Sequence, residues 1–119
     1  MKSPVFLRIA IALQTLTLFA APITAGLLLT VPVGRTLHSV SAYGVFTATL
    51  LHLIIAILMW QPGGGSPRPI LYAAVLFGLT LAQIALGIAQ VKTVHVPLGA
   101  LLFGMSLLQL SQVVAGRRT

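Results

Sequence analysis

The chain has no aspartate, no glutamate and no cysteine among its 119 residues, and each absence removes a class of chemistry. Without carboxylates there is no acidic site for cation-coupled transport, no carboxylate proton relay and no oxygen cage for a divalent cation. A Ser-His-Asp triad lacks its third member. Without thiols there is no thiol–disulfide relay, no iron–sulfur cluster and no covalent c-type heme attachment. Charge is scarce: only 6% of the residues are charged, all of them basic, for a net charge of +7. The polar equipment that remains is three histidines, seven Lys or Arg residues and a scatter of Ser, Thr and Gln.

What is present is apolar. A hydrophobic content of 58% and a mean hydropathy of +1.08 describe a chain whose solvent is lipid. About 20 apolar residues make one helical crossing of a bilayer, so four spans with short links use the whole length and leave no room for a separate soluble domain. The first span is expected over about 9–31, ending at the turn-like Pro32-Val33-Gly34-Arg35. The second is expected over about 36–60, followed by Gln61-Pro62-Gly63-Gly64-Gly65-Ser66-Pro67-Arg68-Pro69, whose prolines and glycines break any helix. The third and fourth spans, about 70–89 and 94–115, are joined by the very short Gln90 to Thr93 link. Short links make neighbouring helices antiparallel. The expectation is one all-α membrane domain over 1–119, a four-transmembrane-helix up-down bundle built from two helical hairpins.

The basic residues orient it. With both termini in the cytoplasm, Lys2, Arg8, Arg68, Arg117 and Arg118 lie inside and Arg35 and Lys92 outside, as the retention of Lys and Arg on the cytoplasmic side requires. Trp60 and Tyr72 then flank the inner loop at interfacial depth. The charge is accordingly a topology and headgroup signal rather than a nucleic-acid footprint. The first apolar run is longer than the core of a usual signal peptide, which favours a retained span. Pro22 is expected to kink that span.

Two tetrapeptides carry the functional signal. Arg35-Thr36-Leu37-His38 and Lys92-Thr93-Val94-His95 lie 57 residues apart, and each opens a long apolar stretch with a basic residue, a threonine, an aliphatic residue and a histidine. In an up-down bundle His38 and His95 fall at the same outer depth on diagonal helices, whose axes stand about 11–14 Å apart. That gap suits a flat macrocycle between two imidazoles, and neutral imidazole is a good axial ligand for heme iron. Arg35 and Lys92, three residues before each histidine, share its face and would meet the propionates of a heme b. Thr36 and Thr93 could add hydroxyl donors. The plainer alternatives are cations that anchor at the interface, threonines that cap helices, and histidines that pack against neighbouring carbonyls. A bare two-histidine zinc site lacks the further ligands zinc takes.

His52, 14 residues beyond His38, returns to nearly the same helix face about 21 Å deeper. It is either a ligand of a second heme, with Gln109 at the equivalent position on the fourth span and Met105 one turn earlier, or a hydrogen-bonding core residue. Small residues line the same region: Gly44 and Gly99 near the proposed pocket, and Ala42, Ala85 and Gly87 suited to close helix packing. A faint echo between Ile23-Thr24-Ala25-Gly26 and Ile84-Ala85-Leu86-Gly87 adds to the impression of duplication.

The segment Gln83-x3-Gly87 followed by His95-Val96-Pro97-Leu98-Gly99 resembles one four-helix half of heme A synthase, and the chain also resembles small four-helix membrane proteins of actinobacteria. The resemblance extends over all four spans. It implies a bacterial plasma-membrane protein in which His38 and His95 take the place of the histidine pair carried by each half of that enzyme. The chain departs from the family in having a single half and no acidic residue, so oxidation of a heme methyl group is not implied, whereas heme binding is. The sequence therefore points to a heme b protein for electron transfer or heme handling, without chemistry on a separate substrate. A homodimer or a larger membrane complex is expected, because one heme near one face does not carry electrons across a bilayer. The competing expectation is a heme-free structural or assembly subunit; a small-molecule transporter, lacking an acidic coupling residue, ranks third.

Overall fold

A computed structural model describes residues 4–116. Four helices account for nearly all of them: α1 Val5–Leu28, α2 Gly34–Trp60, α3 Arg68–Ile88 and α4 Lys92–Val114. With 24, 27, 21 and 23 residues and a rise of about 1.5 Å per residue, each exceeds the roughly 30 Å hydrocarbon thickness of a bilayer. All four are also apolar enough to cross it. Large side chains such as Phe6, Leu16, Leu71, Ile88 and Val96 stand more than half exposed on the outside of the bundle, where lipid rather than water is the matching solvent. These are the features of a multi-pass membrane protein.

Local chemistry sets the helix ends. Gln61, held extended before Pro62 (φ −142°, ψ 122°), closes α2 because a residue preceding proline is pushed out of the helical region. Between α3 and α4 the chain turns through Gln90 at φ 61°, and the Val91 N–H donates to the Leu86 carbonyl at 3.0 Å. This is the hydrogen-bond pattern of a left-handed helix cap, with glutamine in the place usually taken by glycine. Gly34 opens α2 where a Cβ would overlap the Leu27 carbonyl, so the close passage of α2 past the end of α1 requires glycine. Pro22 and Pro97 both lie inside continuous helices.

All four helices begin two or more residues earlier than the apolar runs alone indicate. Arg35 and Lys92 therefore stand inside the first turns of α2 and α4, on the helix rather than before it. Thr36 and Thr93 are not caps: Val33 and Val91 occupy the N-cap positions, with no side-chain capping bond.

Contacts show that sequence neighbours run antiparallel. The start of α1 (Leu7, Ile11) meets the end of α4 (Leu110, Val113) and the end of α2 (Ile55, Met59). Leu18, Val45, Leu76 and Leu102, one from each helix, form an apolar layer across the middle. Around the bundle α1 touches α2 and α4, and α3 touches α2 and α4; the diagonal pairs α1/α3 and α2/α4 do not pack. One end, the histidine end, carries the starts of α2 and α4. The other, the loop end, carries the α2–α3 loop and the start of α1.

Candidate functional site

His38 and His95, on the two diagonal helices that do not pack, converge across the histidine end. Their ring centroids are 6.2 Å apart and their planes are nearly perpendicular, at 84°. Both residues are partly exposed.

Each ring is oriented through Nδ1. The His38 Nδ1 lies 3.1 Å from the Ala21 carbonyl and 3.0 Å from the Thr24 hydroxyl. The His95 Nδ1 lies 2.9 Å from the Gln83 carbonyl. A carbonyl oxygen only accepts, so in both rings Nδ1 carries the proton and Nε2 presents a lone pair. Among the described residues neither Nε2 has a hydrogen-bond partner. Donation of one ring N–H to a carbonyl is how a metal-ligating imidazole is held in tautomer and direction.

The two supports are built differently. Around His38, the Ser41 hydroxyl donates to the His38 carbonyl at 2.7 Å and lies 2.8 Å from the Thr24 hydroxyl, tying α1 to α2. Around His95 the bond is reciprocal: Gln83 Nε2 donates to the His95 carbonyl at 2.7 Å while the ring donates back to the Gln83 carbonyl. Gly87 leaves the space the ring needs, since a Cβ there would stand 2.9 Å from its Cε1; a Cβ on Gly99 would stand 2.8 Å from Gln83 Nε2. Gln83, Gly87, His95 and Gly99 are thus one packing unit between α3 and α4. Gly44 is unlike them, because its Cβ would meet only Thr17 at ordinary contact distance, 3.6 Å.

Arg35 and Lys92 are exposed in the first turns of α2 and α4, at the end where the histidines meet. Arg8 and Arg68 occupy the first turns of α1 and α3, and no helix has a basic residue in its last turn. Cations at helix N-termini add to the positive end of the dipole, an arrangement that costs about 0.3–1 kcal/mol each and is relieved by anions. Beside His38 an apolar groove of about 460 Å³ opens between α2 and α3, lined by Ser39, Ala42, Tyr43, Phe46, Ile84 and Ile88.

His52 is not brought to this pair. It is fully buried beyond the Leu18–Leu102 layer, toward the loop end. There its Nδ1 bonds Gln14 Oε1 at 2.8 Å, Gln14 Nε2 donates to Ser106 Oγ at 2.9 Å, and the hydroxyls of Ser106 and Thr15 lie 2.7 Å apart. Gln14, Thr15 and Ser106 do not stand out in the sequence. Their one signal is the cost of polar side chains inside an apolar span, at the depth His52 occupies. Met105 packs against the middle layer instead.

Among the described residues no three His, Cys, Asp or Glu side chains cluster as a metal site, so a metal at the histidine end would have two protein ligands. The two imidazoles stand close enough for both to hold one group, which His38 and His95 would bind through Nε2. The donor set, two imidazoles with cations at the same end, fits an iron porphyrin that brings its other four ligands and two carboxylates of its own. Comparison with known families, with curated proteins and with solved structures finds no match to this chain.

Proposed function

We propose that the protein binds one heme b between His38 and His95 and acts in electron transfer or heme handling within the membrane. The observation that carries this reading is the convergence of two imidazoles from non-packing helices to 6.2 Å, each with Nδ1–H tied to a carbonyl and Nε2 unpartnered. His38 and His95 would hold the heme iron through Nε2, and Arg35 and Lys92 would pair with the propionates. Bound there, heme supplies a one-electron couple, whose potential axial ligation and burial set. Ala21, Thr24 and Gln83 hold the rings in the ligating tautomer. No carboxylate is available to help oxidise a heme methyl group, which favours a carrier over an enzyme, although the residues quoted above resemble half of heme A synthase.

The same reading places both termini in the cytoplasm of a bacterial plasma membrane, with the histidine end outside. Among the described residues the ends are even, Arg8 and Arg68 at the loop end against Arg35 and Lys92 at the histidine end; the orientation rests on the sequence count that includes Lys2, Arg117 and Arg118, which lie outside the described residues. A single heme near one face calls for a second copy or a larger membrane complex to continue electron flow.

Two measurements test the proposal. Heme extracted from protein purified in detergent should amount to one b-type heme per chain; a colourless preparation that stays colourless when heme is added would leave a heme-free assembly subunit as the better reading. Because the chain has no cysteine, Ser66→Cys offers a single thiol, which a membrane-impermeant maleimide should label only after the cells are opened. Labelling of intact cells would reverse the orientation.

A further inference from the structure

The histidine end is one crossing of the α2/α4 diagonal, and the same helices offer a second. Fourteen residues separate His38 from His52 on α2, and fourteen separate His95 from Gln109 on α4. Fourteen residues are close to four helical turns, about 21 Å. The two helices run in the same direction, so His52 and Gln109 lie at matching depth on the loop side of the middle layer, and Gln14 bonds both His52 and Ser106, one turn from Gln109. Both are nearly or wholly buried, His52 at 0% exposed and Gln109 at 4%. His52 Nε2 and Gln109 Oε1 are both buried without a hydrogen-bond partner.

The chemistry of these two atoms selects their ligand. Gln14 Oε1 accepts the His52 Nδ1 proton, so His52 Nε2 is a bare acceptor, and so is the amide oxygen of Gln109. Two acceptors cannot satisfy each other; they need a donor with two hydrogens. A cationic donor would enter a chain with no carboxylate to offset it, at a cost of several kcal/mol or more. A neutral one meets no such penalty, and leaving buried acceptors unmet costs about 1–3 kcal/mol each. Ser106, one turn before Gln109 on the same face of α4, already bonds Gln14.

We propose that His52 and Gln109 bind a single water molecule that donates one hydrogen to each, closing a ring of hydrogen bonds from α4 through Ser106, Gln14 and His52 back to α4. The site joins the diagonal helices at the loop end as the His38/His95 pair joins them at the other. It is independent of heme and exists in the apoprotein.

The test is nitrogen NMR of the full chain in lipid nanodiscs, with ¹⁵N in histidine and glutamine. The His52 Nε2 signal should be that of an unprotonated, hydrogen-bonded nitrogen and should receive magnetisation from water. In Gln109→Leu it should shift while the His38 and His95 signals stay in place. The proposal is overturned if the wild-type Nε2 receives nothing from water, if a coupling runs directly from the Gln109 amide to Nε2, or if Nε2 rather than Nδ1 carries the proton. Should Gln109→Leu fail to fold, the wild-type spectrum alone decides.

Discussion

The two histidine layers differ in what surrounds the same tautomer. At the histidine end, His38 and His95 are partly exposed, give Nδ1–H to backbone carbonyls and leave Nε2 without a hydrogen-bond partner among the described residues. In the inner layer, His52 gives Nδ1–H to a side chain, Gln14, that is itself fully buried and bonded onward to Ser106. The first arrangement fixes each ring through Nδ1. The second is a buried polar core, with His52, Gln14 and Ser106 all at 0% exposed. The layers differ in exposure and in the partner of Nδ1: two partly exposed imidazoles on backbone carbonyls at one end, one fully buried imidazole on a side-chain amide at the other.

Under the proposed heme ligation, the largest effect belongs to His38 and His95. His38→Ala and His95→Ala should each lower heme affinity by more than about 100-fold, beyond the 10–100-fold usual for outer-shell partners, in a heme titration followed by absorbance. His52→Phe should leave that titration unchanged yet lower the stability of the fold. It leaves Gln14 Oε1 without its donor, a loss of about 1–3 kcal/mol that appears as a lower midpoint in thermal unfolding in detergent. Loss of heme in His52→Phe would erase the distinction between the layers.

Smaller changes sharpen the comparison within the histidine end. Gly87→Ala forces the His95 ring aside, because the new methyl would stand 2.9 Å from Cε1; heme affinity should fall roughly 10-fold, as for other changes to what orients a ligating imidazole. Gln83→Leu removes the bond to the His95 carbonyl but keeps the backbone acceptor for Nδ1, so its effect should be weaker, about 1 kcal/mol. Arg35→Gln and Lys92→Gln should be the mildest, each a few-fold in affinity at low salt and less at high salt, as exposed charges are screened.

Much of the fold was legible in the sequence because lipid imposes long apolar runs, and prolines and glycines punctuate them. The starts of the helices were not, since helix geometry continues through Arg35 and Lys92, and the N-caps at Val33 and Val91 carry no capping side chain. The histidine pair was legible through its repeated tetrapeptide. Its supports were hidden, because the acceptors of Ala21 and Gln83 are backbone carbonyls, which any residue supplies. Gln83 and Gly87 were visible as a motif, but only packing explains it: the glutamine clasps the His95 backbone and the glycine makes way for its ring. The inner layer escaped for a different reason. Gln14, Thr15 and Ser106 come from distant parts of the chain and gain meaning only when α1, α2 and α4 come together.

The most direct test of the axial pair is a reduced-minus-oxidised absorption spectrum of the purified wild type beside His38→Ala, His95→Ala and His52→Phe. A low-spin b-type spectrum in the wild type and His52→Phe, lost in both alanine variants, is the predicted result. A spectrum that survives either alanine substitution, or that is absent from the wild type after heme is supplied, would contradict ligation by His38 and His95.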